Sequence, residues 1–235
     1  MKTTECLVII PAYNEEKNIS RLIREVESRG FPVLIVDDGS KDATVSQAKA
    51  AGAEALVTNV NQGKGAALRR GFDWFLKKDY AAAIVMDSDG QHDPKELGLF
   101  LGAFSLDGAQ VVVGNRLDNP QGMPWIRRAT NRFMSWVISS ITKRNIPDSQ
   151  CGYRAMTREV LEKIKLKTAH FEIESEILLE AARAGFKIAS IPIRCVYQNE
   201  TSRINPFRDT IRFFSFLLKY HLTIFFSKNT LTTDN

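Results

Sequence analysis

Ala82-Ala83-Ile84-Val85-Met86-Asp87-Ser88-Asp89-Gly90-Gln91 is the stretch on which the fold turns. Five apolar residues followed abruptly by two acids two positions apart read as a buried strand ending in a polar loop. Two carboxylates leaving a strand end together can face one ligand. Such a pair suits a hard divalent cation, Mg²⁺ or Mn²⁺, which takes oxygen ligands and in turn holds phosphate oxygens. Gly90 permits a tight turn, and Gln91 or His92 can add a further donor atom. The same residues also fit a solvated turn in which Asp93 caps a helix opening at Pro94. The pair therefore needs support from elsewhere in the chain before it means a metal site.

That support lies upstream. Short apolar runs at 6–10, 33–36, 55–58 and 111–114 alternate with helix-period segments at 18–28, 43–51, 64–77 and 94–104. Such alternation predicts βαβ units and a mostly parallel sheet flanked by helices, a Rossmann-like α/β fold. Polar or glycine-containing clusters follow the strands: Asn14-Glu15-Glu16, Asp37-Asp38-Gly39-Ser40, Asn61-Gln62-Gly63-Lys64-Gly65 and the acidic loop itself. In an open α/β sheet these strand ends share one edge, where ligands bind. A carboxylate at Asp38 can accept hydrogen bonds from ribose hydroxyls or a base N–H, or simply close an Asp-Gly turn. Lys64 at a helix start favours an anion. The spacing is not that of a P-loop, and Gly-x-Gly-x-x-Gly is absent, which counts against a nicotinamide or flavin site.

After Arg116 the pattern changes. Residues 118–124 read as a Pro- and Gly-containing loop, and 125–142 as a basic, aromatic helix. Helices at 159–164 and 173–184 follow, then a strand at 188–196 and a phenylalanine-rich helix at 206–226. Arg128 and Arg132, spaced i, i+4, share one helix face, while Arg203 and Arg208 flank Asn205-Pro206. Glu172, Glu174 and Glu176 stand at or before a helix start, where carboxylates also complement the dipole. This organisation predicts a domain over 1–204, divided into halves 1–116 and 117–204. An amphipathic helix over 205–227 and a disordered tail over 228–235 complete the chain.

The 235 residues are 44% hydrophobic and 25% charged, ordinary for a globular protein. Thirty-two basic residues against 27 acidic ones leave a formal charge of +5, concentrated towards the C-terminal half. The aromatics lie in dense apolar helices, not interleaved with basic strands, which argues against nucleic-acid binding. Cys6, Cys151 and Cys195 are odd in number and widely spaced, as expected of a reducing compartment. The first apolar run is too short for a signal-peptide core and stops at Pro11, so the expectation is a cytoplasmic protein. Arg212, Lys219 and His221 interrupt the last helix, which suits it to lie in a membrane interface. Helix 125–142 has similar character, and the two could form a platform on the inner face of the membrane. Packing on the main domain, a homo-oligomer or a separate membrane partner would use the same apolar faces.

Pro11-Ala12-Tyr13-Asn14-Glu15-Glu16, Asp37-Asp38-Gly39-Ser40, Gly63-Lys64-Gly65-Ala66-Ala67, Asp87-Ser88-Asp89-Gly90-Gln91 and Gly114-Asn115-Arg116, in that order, resemble family 2 inverting glycosyltransferases of the GT-A fold. Within these the chain is most similar to the polyprenyl-phosphate sugar transferases, the dolichyl-phosphate mannose and glucose synthase group. Asp148-Ser149-Gln150-Cys151-Gly152-Tyr153-Arg154 matches that group's acceptor-side segment. Its Gln-Cys-Gly form is similar to the glucose-transferring members.

The resemblance implies transfer of a hexose from a nucleotide-sugar, UDP-glucose being favoured and GDP-mannose an alternative, to an undecaprenyl or dolichyl phosphate. Pro11, Ala12, Tyr13, Glu15, Asp38, Lys64, Asp87 and Ser88 would line the donor site. Asp87 and Asp89, with Gln91 assisting, would hold Mg²⁺ or Mn²⁺. Arg116, Arg128, Arg132, Arg203 and Arg208 would grip the phosphates. Asp89, Arg116, Asp148 and Glu174 would act in catalysis, Asp148 by orienting the acceptor or as a base. Related transferases often carry transmembrane helices beyond this point, so the chain is expected to resemble the peripheral members. Transfer to a sugar hydroxyl is a second reading, and a catalytically silent nucleotide-sugar binder a third.

Overall fold

The computed structural model describes residues 1–194 and 206–230, with side chains in the last helix described over 210–222. Two compact units divide the chain, Met1–Asn199 and Glu200–Asn235.

In the first unit, strands β1 (Cys6–Ala12), β2 (Val33–Asp37), β3 (Glu54–Val57) and β4 (Ala82–Val85) alternate with helices α1 (Ile19–Glu27), α2 (Thr44–Ala50) and α3 (Lys64–Leu76). A short 3₁₀ turn at Pro94–Glu96 leads into α4 (Leu97–Leu106), with Asp93 accepting the Lys95 N–H at 2.9 Å as its N-cap. Then come β5 (Val111–Asn115), α5 (Trp125–Thr142), β6 (Arg154–Thr157), α6 (Arg158–Lys163), α7 (Ile173–Arg183) and β7 (Ile188–Pro192). The mixed, mostly parallel sheet expected from the βαβ rhythm is present, with seven strands in the order β3-β2-β1-β4-β6-β5-β7.

Every residue of β1, β2, β4 and β5 is buried. Helices cover both faces of a sheet built by crossovers, so its inner strands read as continuous apolar runs. Strand β1 passes through Pro11 to Ala12, two residues beyond the end suggested by the sequence. Its pairing with β4 stops at Ile9↔Val85, so the N–H that proline lacks is not needed there. On the other side Ala12 continues the ladder to Asp37, and its carbonyl accepts the Asp38 N–H at 2.9 Å.

The largest departure from the sequence reading is β6. It lies antiparallel between β4 and β5, with Val85↔Arg154 and Val113↔Arg154 in register. Only four residues long, it follows directly on the acceptor-side segment, whose Gly and polar residues mask any strand rhythm. Its position brings the loop 148–153 to the same sheet edge as the acidic loop after β4.

The second unit is described by α8 (Pro206–Thr230), in which Ile211, Phe214, Leu218 and Leu222 recur at helical spacing and are exposed. Among the described residues no helix is long and apolar enough to cross a membrane.

Candidate active site

The site forms where the ends of β1, β2, β4 and β5 meet the start of α3, the loop before β6 and the start of α7. At the end of β1, Pro11 and Ala12 are buried and Tyr13 is exposed. The turn after them is tied to the next crossover: Asn14 N–H donates to Ser40 Oγ, Glu15 N–H to Thr44 Oγ1, and Lys41 N–H to Asn14 Oδ1, all at 2.8 Å. Asn14 itself has φ 55°, a left-handed conformation that asparagine tolerates better than most residues.

Asp38 is buried and accepts Gly63 N–H at 2.7 Å, Gln62 N–H at 3.1 Å and an Arg70 guanidinium N–H at 3.3 Å. It therefore fixes the start of α3 as well as standing at the expected donor pocket. Arg70 is an addition to the sequence-derived set.

Lys64 is the centre of the arrangement. Gly63 before it has φ 98°, and a Cβ on Gly65 would sit 2.7 Å from the Ala169 carbonyl carbon. Glycine at both neighbours thus lets α3 begin tight against the 168–170 loop and aims Lys64 inward. Its ammonium lies 2.5 Å from Asp87 Oδ1 and 2.6 Å from Glu174 Oε1. Burial opposes the charge on Lys64, but the two carboxylates outweigh it and raise its pKa above the ordinary value. Burial likewise would raise the Asp87 carboxyl, yet Lys64 and Arg116 hold it well below the usual range. Asp87 is ionised and already partnered by a cation.

On the other side of Asp87 is Gly152. A Cβ there would fall 2.5 Å from Asp87 Oδ2 and 2.8 Å from Lys64 Nζ. The glycine in Gln150-Cys151-Gly152 is the space in which this carboxylate sits. Ser88 is buried, and Asp89 Oδ1 accepts the Gln91 N–H at 2.9 Å, closing the turn that Gly90 makes at φ 74°. Among the described residues no three His, Cys, Asp or Glu side chains cluster as a complete metal site. Asp87 and Asp89 are an all-oxygen, partial donor set. They fit a hard divalent cation that draws its other ligands from bound phosphate oxygens.

Arg116 and Asp148 form a second charged centre, both buried. Asp148 accepts Arg116 Nε–H at 2.8 Å, Nη2–H at 3.0 Å and the Arg116 backbone N–H at 3.2 Å. Both carboxylate oxygens are engaged in this fork. The loop they join is held by Arg154, which is 1% exposed. Its guanidinium donates to the carbonyls of Ser149, Cys151 and Glu174, the last at 2.6 Å. Arg154 connects the loop before β6 to the start of α7 and so places Glu174. Only an arginine followed by apolar residues in a short run hinted at this role in the sequence.

Glu176 is turned elsewhere, accepting Lys167 N–H, Thr168 N–H and Thr168 Oγ1–H. Arg128 and Arg132 make no side-chain hydrogen bond or ion pair among the described residues; Arg128 is half-buried with an unpartnered Nε, and Arg132 is exposed. The side chains of Arg203 and Arg208 lie outside the described residues, as does Cys195. Burial pushes the thiols of Cys6 and Cys151 up to about 12, which makes them inert packing groups.

Residues 7–165, most of the chain, match the family described as Glycosyl transferase family 2. The chain belongs to glycosyl transferase family 2. This family 2 glycosyltransferase is 32% identical over 205 residues to polyprenol monophosphomannose synthase of Mycolicibacterium smegmatis, covering 81% of this chain and 77% of that protein. It is 30% identical to the UDP-N-acetylglucosamine–dolichyl-phosphate N-acetylglucosaminyltransferase of Methanococcus voltae, covering 81% and 85% of the two chains. In structure it is similar to glucosyl-3-phosphoglycerate synthase of Mycobacterium tuberculosis, solved with Mn²⁺, UDP and phosphoglyceric acid. The TM-score is 0.67 at 20% identity, over 83% of this chain and 71% of that one. The likeness shows that the glycosyltransferase has the GT-A fold.

Proposed function

We propose that this glycosyltransferase moves a hexose from a nucleotide-sugar to a polyprenyl phosphate with inversion at the anomeric carbon. The observation that carries the choice of acceptor is the Arg116–Asp148 fork. A sugar hydroxyl must lose its proton to become a good nucleophile, and a carboxylate would have to take it. Asp148, the candidate base, instead has both oxygens bonded to Arg116. A phosphate monoester has its second pKa near 6 and is anionic at neutral pH, so it needs no base. What it needs is positive charge to bring it beside a diphosphate, and Arg116 is held ready for that.

In the proposed reaction an acceptor phosphate oxygen attacks the anomeric carbon as the bond to the nucleoside diphosphate breaks. Pro11, Ala12, Tyr13, Glu15 and Asp38 line the nucleoside side, and Lys64 and Ser88 stand near the diphosphate. Asp87 and Asp89, with Gln91, would hold Mg²⁺ or Mn²⁺. When bound, such an ion stabilises the charge developing on the departing diphosphate. Glu174 is placed by Lys64 and Arg154 at the meeting of the two halves.

A lipid acceptor also suits α5. Trp125 and Trp136 are 76% and 65% exposed, and Ile126, Phe133 and Ile141 are exposed with them. Arg127, Arg132, Lys143 and Arg144 border this face, the arrangement of a helix lying in an anionic membrane surface. The proposal therefore places the enzyme peripherally at a cytoplasmic membrane face.

The relatives named above use different sugars, so the donor is tested directly. The protein is incubated with labelled UDP-glucose, GDP-mannose or UDP-N-acetylglucosamine, Mn²⁺ or Mg²⁺ and a polyprenyl phosphate, and the lipids are extracted. Label in the lipid fraction is expected, with UDP-glucose the first candidate. Label confined to free sugar or water-soluble glycans would overturn the lipid-phosphate reading.

A further inference from the structure

His92 follows the acidic loop directly but is turned away from a ligand's reach. It is 3% exposed, and its Nδ1 accepts the backbone N–H of Asp87 at 3.2 Å. An imidazole that accepts at Nδ1 carries its proton on Nε2, so the geometry selects one neutral tautomer. The ring stacks on Tyr153, with centroids 4.8 Å apart and planes 24° from parallel. Tyr153 is fully buried, packs against Phe100 at 4.4 Å and donates its hydroxyl to the Asp93 carbonyl at 3.4 Å. The neighbours of Tyr153 in sequence are Gly152, whose missing Cβ leaves room for the Asp87 carboxylate, and Arg154, which fixes Glu174.

The Asp87 N–H needs a partner, because a donor taken out of water and left without one keeps its full desolvation penalty. Here it points at a ring that Tyr153, in the loop before β6, holds by stacking. We infer that His92 is a positioning residue: it orients Asp87 for the donor and its cation, and through Tyr153 it ties that orientation to the acceptor-side loop. It touches neither substrate nor reacting atoms and acts through the Asp87 backbone. The inference rests on the proposed nucleotide-sugar site, and its test reads binding instead of transfer.

Wild type, His92→Asn and His92→Leu are titrated with UDP in the presence of Mn²⁺ by calorimetry, with thermal unfolding followed in parallel. Asparagine and leucine are similar in size and both remove the ring. Only asparagine offers an oxygen near the Nδ1 position to accept the Asp87 N–H. Outer-shell partners of this kind change metal affinity about 10- to 100-fold. The expected result is a loss of about 10-fold or more in UDP·Mn²⁺ affinity for His92→Leu, largely restored in His92→Asn, with both variants folded at the temperature of the titration. Equal affinity in all three proteins would overturn the inference while leaving the donor site standing. Equal loss in both variants would also overturn it, because packing of the ring and not its acceptor atom would then be responsible. Wild type that fails to bind UDP with Mn²⁺ would overturn the donor site and this inference together.

Discussion

The proposed donor and acceptor halves of the site are assembled in opposite ways. In the donor half, parallel strands β1, β2 and β4 each pass straight into a loop. Pro11 to Tyr13, Asp37 and Asp38, and Asp87 to Asp89 therefore gather at one sheet edge through topology alone. In the acceptor half, β6 runs antiparallel between β4 and β5, and long-range ion pairs align the side chains. Arg116 reaches Asp148 across 32 positions, and Lys64 reaches Glu174 across 110. A loop on a strand end keeps its place as long as the strand does, whereas a buried ion pair fails when either member is removed. The proposed donor chemistry thus rests on loop composition, and the joining of the two proposed halves rests on a few buried charges.

The strongest way to break this contrast is at the loop. Asp89→Ala leaves the Arg116–Asp148 and Lys64–Glu174 pairs intact, so the protein should fold normally. It should lose transfer by about 10²-fold or more, because an ion bound there supplies several kcal/mol of transition-state charge stabilisation. Steady-state kinetics across a Mn²⁺ titration would show it, and activity near wild type would remove Asp89 from the metal site.

Asp148→Asn strikes the other kind of construction. It leaves Arg116 buried without its counter-charge, at a cost of about 3–5 kcal/mol in stability, measurable as a lowered denaturant midpoint. Transfer to a polyprenyl phosphate should be reduced but still measurable in the folded fraction. Complete loss of transfer in correctly folded protein would instead mark Asp148 as a base and favour a hydroxyl acceptor.

This contrast also explains what could be read from the sequence. Apolar runs closed by polar loops located β1, β2, β4 and β5, and the acids in two of those loops gave Asp38, Asp87 and Asp89, because strand rhythm and loop polarity are local properties. Helix α5 was legible in full for the same reason. Strand β6 was not: four residues beside a glycine-containing loop carry too little periodicity, and its pairing partners lie 41 to 75 positions upstream. Arg154 and Arg70 escaped, and His92 was read as a possible further donor atom, because their roles depend on carbonyls, a carboxylate and a backbone N–H that only folding brings near. Lys64 was recognised as a cation at a helix start, but its two carboxylate partners were not.

The link between the halves can be measured without removing either. A double-mutant cycle of Lys64→Met and Glu174→Gln, read as kcat/KM for the donor, should give a coupling of about 1–3 kcal/mol, as expected for groups in one buried network. Additive effects within about 0.5 kcal/mol would mean that Lys64 serves Asp87 alone. Gly152→Ala tests the same junction sterically. Its Cβ would press on the Asp87 carboxylate, so the donor KM should rise severalfold while the sheet stays intact.

The smallest effect on stability separates the halves at the surface. Trp136 on α5 and Leu106 at the end of α4 are both highly exposed, at 65% and 87%. Replacing either by serine should change unfolding free energy by no more than about 0.5 kcal/mol, since neither supports the core. Their consequences for membranes should differ. Trp136 belongs to an apolar face with Trp125, Ile126 and Phe133 bordered by arginines, whereas Leu106 stands beside Asp107 in the donor half. In sedimentation with vesicles containing anionic lipid, Trp136→Ser should lower the bound fraction severalfold and Leu106→Ser should leave it unchanged. Equal behaviour of the two variants would mean that exposure alone governs vesicle binding, and α5 would lose its claim as the face turned to the lipid acceptor.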